Sequence, residues 1–248
     1  MFHSKKIFSL DVVSGTVSGF ADYLLTTKFN KSVIVTALSM NEFMQITHKT
    51  LKKIDFLTPD GMPMVWLMKM IDSSSERVYG PDLMEEILKK TANDDKTHFF
   101  YGSTNDVLKK LINKIKKIYP EMKIVGSISP PFSDLLKNEE NKLFSKIEKE
   151  RPDFIWIGLR GKKQAETSLR LREFLSYGAR IMPVGAAFDF ISGNKDQAPN
   201  HIQRAGLEWL FRLLKEPKRL WKRYLLQIPG FLVLWFLEAT RILFSRKK

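Results

Sequence analysis

An aspartate at a strand-to-helix corner is the first residue of this sequence that is suited to chemistry. In the stretch LTPDGMPMVW (57–66), Asp60 follows an apolar run and precedes a helix-like run. A carboxylate at such a corner either caps the helix, since Asp is a favoured N-cap residue, or accepts a proton from a bound substrate. Pro-Asp-Gly is also ordinary turn chemistry. The stretch by itself leaves both interpretations open.

Other corners carry small or polar residues. Thr36 ends an earlier apolar run, and Gly102 and Ser103 follow a later one, where backbone amides at a helix N-terminus would suit a phosphate. Asp189 lies among apolar residues in GAAFDF, and a carboxylate there should be paired or functional because burying an unpaired charge is costly. The Gly-Ser segment matches neither G-x-G-x-x-G nor the P-loop, so no nucleotide motif is established by pattern alone.

Two further residues have an open interpretation. Arg77, before VYGPDL, is either a surface charge or an anion ligand, and Gln164, after the loop IGLRG, is either a plain helix-start residue or part of a site. The chain has no cysteine, no Asp-x-Asp, and four scattered histidines. We therefore expect no metal site and no cofactor. An anionic ligand at these corners would then need arginines and helix-terminal amides to stabilise its charge.

The elements that must position these residues alternate along the chain. Strand-like runs alternate with amphipathic helical patterns such as TNDVLKKLINKIKKIY (104–119), in which Thr104 is a predicted cap. Such alternation is typical of an α/β fold with a Rossmann-like, mostly parallel sheet and helices on both faces. The carboxyl ends of parallel strands meet at one edge, so we expect the corners to converge there. The predicted strands are 33–36, 54–58, 98–101, 123–126, 154–158 and 180–184.

Charge is concentrated at the C-terminal end of the chain. The formal net charge is +14, and residues 201–248 hold eleven Lys or Arg against three Glu, a net of +8. A basic segment of this kind should bind phosphate, either in nucleic acid or in anionic lipid, unless it is only a solvated face. The lack of cysteine fits a reducing compartment, and the N-terminal pattern does not predict a signal peptide.

The last fifty residues differ in character from the rest. We expect an α/β catalytic domain over 1–195 and a basic amphipathic helical appendage over 196–248, in which Pro217 starts a new helix. Residues 224–237 carry no charge and are interrupted by Pro229 and Gly230. A spanning helix needs about 20 apolar residues, so we expect an interfacial segment. A helix buried against another subunit and a membrane hairpin are the alternatives.

Several longer segments resemble the WecG/TagA/CpsF family of glycosyltransferases through nearly the whole chain, most weakly before about residue 30. They are PDGMPMVW (59–66), ERVYGPDL (76–83), FFYGST (99–104), SPPF (129–132), GAAFDFISG (185–193) and APNHIQRAGLEWLFRLLKEPKRLWKRY (198–224). The resemblance implies an inverting, metal-independent enzyme of cell-wall or exopolysaccharide synthesis. It would transfer N-acetylmannosamine, its uronic acid or glucose from a UDP donor to a polyprenyl-diphosphate-linked saccharide.

The resemblance also implies roles for the corner residues. Asp60 matches the general base that deprotonates the acceptor hydroxyl, and Thr36 matches a second residue of the catalytic site. Arg212, Arg219 and Lys222 match a basic trio that closes over the site and contacts the phosphates. Residues matching the donor and nucleotide pocket are Arg77, Gly102, Ser103, Gln164 and Asp189.

The chain departs from the family pattern in three places. Thr36-Ala37-Leu38 stands where many members have Thr-Pro-Asn, so the asparagine's role is lost or passes to Asn41. Only Lys-Gln remains of the usual Gly-Ser-Pro-Lys-Gln at 160–164, and Lys222 replaces an arginine of some relatives. Lysine does not form the same bidentate phosphate pair.

The resulting expectation is a peripheral enzyme on the cytoplasmic face of a bacterial membrane. The appendage would bind an anionic membrane surface, and association into a homo-oligomer is left open. A nucleic-acid-binding protein and a membrane scaffold without catalysis are the alternatives. We expect no nucleic-acid partner, because the basic residues lie beside apolar residues 225–237 and no known nucleic-acid module is evident.

Overall fold

An eight-stranded sheet forms the centre of the protein. A computed structural model describes residues 3–131, 133 and 135–245, so Phe132 of the SPPF motif lies outside the described residues. The sheet order is β1-β2-β4-β3-β8-β7-β5-β6, and only β1 pairs in the antiparallel direction. This confirms the predicted mostly parallel sheet. The strands are β1 (His3–Ile7), β2 (Leu10–Ser14), β3 (Val33–Leu38), β4 (Phe56–Pro59), β5 (Thr97–Gly102), β6 (Lys123–Ile128), β7 (Phe154–Gly158) and β8 (Arg180–Pro183).

Helices cover both faces of the sheet and create two apolar cores. One core includes Phe144 and Phe231, and the other includes Phe20 and Trp156, all four of which are buried. The helices are α1 (Val17–Thr26), α2 (Met40–Gln45), α3 (His48–Leu51), α4 (Met62–Ile71), α5 (Gly80–Lys90), α6 (Asn105–Ile118), α7 (Lys137–Glu150), α8 (Gly161–Phe174), α9 (Ala187–Ile191), α10 (Asn200–Arg204), α11 (Glu208–Lys215) and α12 (Pro217–Ser245).

Helix α6 shows why the periodic segments fold as predicted. The Thr104 side chain accepts a hydrogen bond from the Val107 amide at 3.3 Å, which caps the helix. The predicted apolar stripe is buried at Leu111 and Ile115 and ends there, since Ile118 in the last turn is exposed. The stripe therefore fixes which face of α6 lies on the sheet.

The β1–β2 hairpin was not predicted from the sequence. Its turn residues Phe8 and Ser9 have φ of 52° and 59°, in the left-handed region usually occupied by glycine or asparagine. Tertiary contacts hold the turn: the Phe8 amide donates to Glu238 Oε1 at 2.7 Å, and the Phe8 carbonyl oxygen lies 2.8 Å from His48 Nε2. The hairpin thus depends on residues far away in the chain.

Helix α12 begins at Pro217, as predicted, but continues through Pro229 and Gly230 to Ser245. Pro229 and Gly230 therefore do not interrupt the helix, and the alternative of a membrane hairpin is wrong. One face of α12 is buried at Phe231 and Ile242, and Trp235 Nε1 donates to the Pro63 carbonyl oxygen at 2.8 Å. Tyr224–Ser245 is long and apolar enough to cross a membrane by length and composition only. The domain division at residues 195 and 196 stays a prediction.

Replacing Phe231 tests whether α12 packs on the body in this way. Phe231 is 1% exposed and Phe236, on the same helix, is 68% exposed. We expect Phe231→Ala to lower the free energy of unfolding by about 3–5 kcal/mol, because it leaves a cavity. The matched Phe236→Ala should change it by less than about 0.5 kcal/mol. Urea unfolding followed by circular dichroism measures both, and equal effects would contradict this packing.

Candidate active site

The polar corners lie side by side at the carboxyl edge of the sheet. The Asp60 amide donates to the Leu38 carbonyl oxygen at 3.2 Å, which joins the corners after β4 and β3. The Ser103 amide donates to the Gly158 carbonyl oxygen at 3.0 Å, which joins those after β5 and β7. The predicted convergence of the corners therefore follows from the parallel strand order.

Asp60 is not the N-cap of α4. That position is occupied by Gly61, with φ of 70°, and no side chain caps the helix. The Gly61 amide donates to Asp60 Oδ1 at 2.6 Å, so the carboxylate is fixed locally without reaching the N2 or N3 amide that a cap would satisfy.

Arg77 joins this carboxylate to the C-terminal helices. Its Nε and Nη2 donate to Asp60 Oδ1 at 3.0 and 2.9 Å, and its guanidinium carbon lies 3.9 Å from the centre of the Tyr79 ring. Nη1 donates to Gln203 Oε1 at 2.8 Å, and Nη2 also donates to Glu208 Oε2 at 2.7 Å. Arg77 is thus a ligand of carboxylates here rather than a surface charge.

The surroundings of Asp60 favour proton acceptance. Burial raises the pKa of its carboxyl group, the charge of Arg77 lowers it, and the negative charges of Glu208 and Glu42 raise it, for a net increase. Among the described residues, every hydrogen bond to the Asp60 side chain is accepted by Oδ1, and Oδ2 accepts none. One oxygen is thereby held in place, and the other can receive a proton.

Thr36 and Gln164 each bury a polar atom without a partner. Thr36, in β3, is 3% exposed. Within the described ranges, Thr36 Oγ1 and Gln164 Oε1 make no hydrogen bond. Gln164 lies in the first turn of α8, and its Oε1 would be 3.5 Å from a Cβ placed on Gly185. Unsatisfied buried polar atoms are rare in native proteins, so both atoms are available to a ligand.

The Gly102–Ser103 corner is tightly constrained. Gly102 has φ of 125°, and a Cβ at this position would lie 2.7 Å from the backbone carbon and oxygen of Gly158. Ser103 has φ of 57°, and its carbonyl oxygen accepts from Ser129 Oγ at 2.7 Å. A small-residue corner is therefore present, while its contact with a nucleotide stays a prediction.

Asp189 is half-buried in α9 and paired. Its Oδ1 accepts from Asn194 Nδ2 at 2.7 Å. The next residue, Phe190, lies 5.5 Å from the guanidinium carbon of Arg212, so α9 and α11 meet beside the site. The pairing meets the expectation that a carboxylate among apolar residues has a partner.

The structure separates the predicted basic trio. Arg212 Nη2 donates to Tyr79 Oη at 2.9 Å and lies 2.5 Å from Glu208 Oε1, which brings it into the Arg77 cluster. Arg219 and Lys222 lie on the next helix, α12, and both are exposed. Arg219 pairs with Glu216, and Lys222 Nζ lies 5.5 Å from the Trp221 ring.

Three residues of this cluster escaped the sequence reasoning. Gln203 and Glu208 accept hydrogen bonds from Arg77, more than a hundred residues earlier in the chain. Tyr79 accepts one from Arg212, which is equally distant, and donates to Glu208. The available signal was the Glu208–Arg212 spacing of four, which pairs side chains on one helix face. Asn41, the proposed substitute for the family asparagine, pairs within α2, with Glu42 and Gln45.

Among residues 3–131, 133 and 135–245, no cluster of three or more His, Cys, Asp or Glu is arranged to hold a metal ion. A cavity of about 570 Å³ lies at the opposite, amino edge of the sheet, lined by residues that precede β3, β4 and β8. Its Arg172 is already paired with Asp55 at 2.8 Å. The cavity is therefore separate from the Asp60 corner.

Gly102→Ala tests how far this corner depends on glycine. The new Cβ would meet the Gly158 backbone, so we expect a loss of about 1–3 kcal/mol in unfolding free energy from strain and overlap. Gly15→Ala is the matched control, since Gly15 also has positive φ, 148°, with no atom within 4 Å of its Cβ position. Chemical denaturation measures both variants. A smaller loss for Gly102→Ala than for Gly15→Ala would show that the close approach is unimportant.

Comparison with known proteins identifies the group to which the chain is related. The family model described as "Glycosyl transferase WecG/TagA/CpsF family" matches residues 5–244. A Bacillus spizizenii protein is 31% identical over 236 residues, covering 92% of this chain and 89% of the relative. A Bacillus subtilis protein is 27% identical over 240 residues, with the same coverages. Both relatives are named N-acetylglucosaminyldiphosphoundecaprenol N-acetyl-beta-D-mannosaminyltransferase. The chain belongs to the WecG/TagA/CpsF family of glycosyltransferases.

Proposed function

We propose that this chain transfers an N-acetylmannosaminyl group from a UDP donor to N-acetylglucosaminyl-diphosphoundecaprenol, with inversion and without a metal ion. The names of the two relatives support the sugar and the acceptor over the uronic acid and glucose alternatives. The observation that carries the proposal is the carboxylate of Asp60, held through Oδ1 at the carboxyl edge of the sheet. Family membership argues against both non-catalytic alternatives.

The reaction needs one proton acceptor. Asp60 takes the proton of the acceptor hydroxyl through Oδ2 as that oxygen attacks the anomeric carbon. The bond between the anomeric carbon and the diphosphate oxygen breaks, and its electron pair leaves with UDP. Attack on the face opposite UDP inverts the anomeric centre, which gives a β-linked product from an α-linked donor.

The donor would satisfy the two buried unpaired atoms of the site. Thr36 Oγ1 can donate to a phosphate or sugar oxygen, and Gln164 Oε1 can accept from a sugar hydroxyl. Backbone amides at the corners and the cations of α11 and α12 would stabilise the charge of the leaving diphosphate. For Arg219, the phosphates would replace Glu216 as the partner.

A lipid-linked acceptor requires contact with the membrane. Helices α11 and α12 expose a series of large apolar side chains next to basic residues, an arrangement suited to the interface of an anionic bilayer. We infer peripheral association with the cytoplasmic face of a bacterial membrane. The most exposed of these apolar residues are Leu214, Leu225, Leu226, Phe236, Leu237 and Phe244.

Asp60→Asn should remove the general base and keep the shape of the site. We expect turnover to fall by about 10²–10⁴-fold, with UDP affinity within about twofold of the wild type.

In the unmodified enzyme, the raised pKa of Asp60 should place the acid limb of kcat/KM above the ordinary aspartate value of about 3.9, with activity lost as the pH falls through it. Transfer to a short-chain lipid-diphosphate acceptor, followed by mass spectrometry, measures these quantities. Asp106→Asn, an exposed change in α6, is the control, and normal turnover of Asp60→Asn would refute the assignment.

Chelation tests the proposed independence from metal. Because the diphosphate charge is assigned to protein cations and amides, turnover in excess EDTA should equal that in Mg²⁺ or Mn²⁺. The same transfer assay measures this after dialysis against EDTA. A loss of activity that either cation restores would disprove this part of the proposal.

A further inference from the structure

Glu208 joins two arginines at the start of α11. Its Oε2 lies 2.7 Å from Arg77 Nη2, its Oε1 lies 2.5 Å from Arg212 Nη2, and Tyr79 Oη donates to Oε1 at 3.3 Å. The Glu208 side chain is only 15% exposed. A carboxylate held in this way fixes both guanidinium groups, and removing it would leave Arg77 with Asp60 as its carboxylate and would take from Arg212 the carboxylate that pairs with it.

Arg77 is consequently shared between two carboxylates. The same Nη2 atom donates to Asp60 Oδ1 at 2.9 Å and to Glu208 Oε2 at 2.7 Å. A guanidinium that is divided between two acceptors stabilises each negative charge less than one devoted to a single partner. Asp60 therefore keeps more of its basicity than it would in an exclusive ion pair with Arg77.

We propose that Glu208 is a positioning residue for sugar transfer: it seats α11 on the Asp60–Arg77 pair and holds part of the Arg77 charge away from Asp60. The proposal rests on the proposed function, in which Asp60 is the base. Helix α11 would then help to set the basicity of Asp60. That basicity would reach its full value only while α11 packs against the Asp60–Arg77 pair.

Several charged groups face this pair, and each bears on the pH dependence. The charge of Glu208 raises the pKa of Asp60, as does that of Glu42 from α2. Burial raises the pKa of Asp82, in α5, to about 6, so this group also titrates in the relevant range. Among the described residues, the charged or titratable groups that interact with Asp60 are Glu42 on α2, Arg77 and Tyr79 before α5, Asp82 on α5, and Glu208 and Arg212 on α11.

Glu208→Gln tests the proposal through the pH profile. Removal of the negative charge should lower the pKa of Asp60, so the acid limb of kcat/KM should move to lower pH by roughly one unit. Since a weaker base transfers the proton less effectively, kcat on the plateau should fall about tenfold, with the KM for the donor changed less than about threefold. Asp82→Asn in the Glu208→Gln background should leave this shift in place.

Glu238→Gln is the matched control. Glu238 is also buried and also ties a C-terminal helix to the body, through the Phe8 amide, but it lies at the hairpin rather than at Asp60. The acid limb of kcat/KM in Glu238→Gln should coincide with that of the wild type. An unshifted limb in Glu208→Gln, or an equal shift in Glu238→Gln, would overturn the proposal, because either result would show a merely structural effect.

A direct titration separates this proposal from the proposed function. The carboxyl carbon of Asp60, assigned with Asp60→Asn, can be titrated by NMR in the UDP-free protein, and its pKa should be lower in Glu208→Gln than in the wild type. If no UDP-sugar is transferred, the proposed function fails, while this titration still decides the effect of Glu208. If Glu208→Gln does not fold, Glu208→Asp should lower kcat at constant donor KM, and a change in KM alone would overturn the proposal.

Discussion

The buried ion pair between Asp60 and Arg77 is the interaction on which the site depends. The carboxylate that follows β4 is paired there with an arginine from the loop between α4 and α5. That arginine has further donors to satisfy, and Gln203 of α10 and Glu208 of α11 accept from them. The C-terminal helices therefore complete the hydrogen bonding of the Asp60 corner, and these contacts join α10 and α11 to it.

The parallel sheet explains why one edge collects the polar residues. The parallel strands β4 and β5 end with Asp60 and Gly102 at the same edge, while Thr36 lies inside β3. Glycine at 102 permits the close approach to Gly158. Chemistry that metal-dependent transferases assign to a bound cation would here be assigned to arginines, buried hydroxyl and amide groups, and backbone amides. The same helices that supply arginines also expose apolar side chains, as the proposed use of a lipid-linked acceptor requires.

Much of this architecture could be predicted from periodicity, and the exceptions have physical causes. The α6 stripe and the six predicted strands, which correspond to β3 to β8, follow local patterns. The β1–β2 hairpin does not, because its turn at Phe8 and Ser9 is held by distant Glu238 and His48. Pro229 suggested a break, but α12 is continuous, and its buried face includes Phe231 and Ile242. In the site, corner positions were predictable, whereas Glu208 became visible only through contacts with Arg77 more than a hundred residues away.

In the proposed function, Asp60 accepts the proton of the acceptor hydroxyl at a rim that holds UDP. The decisive measurement is a crystal structure of the chain with UDP and a short-chain acceptor analogue, grown in EDTA. We expect the acceptor hydroxyl oxygen to lie within about 3 Å of Asp60 Oδ2, with the diphosphate contacted by protein cations and amides. A hydroxyl bound at another side chain, with Asp60 directed only toward Arg77, would contradict it.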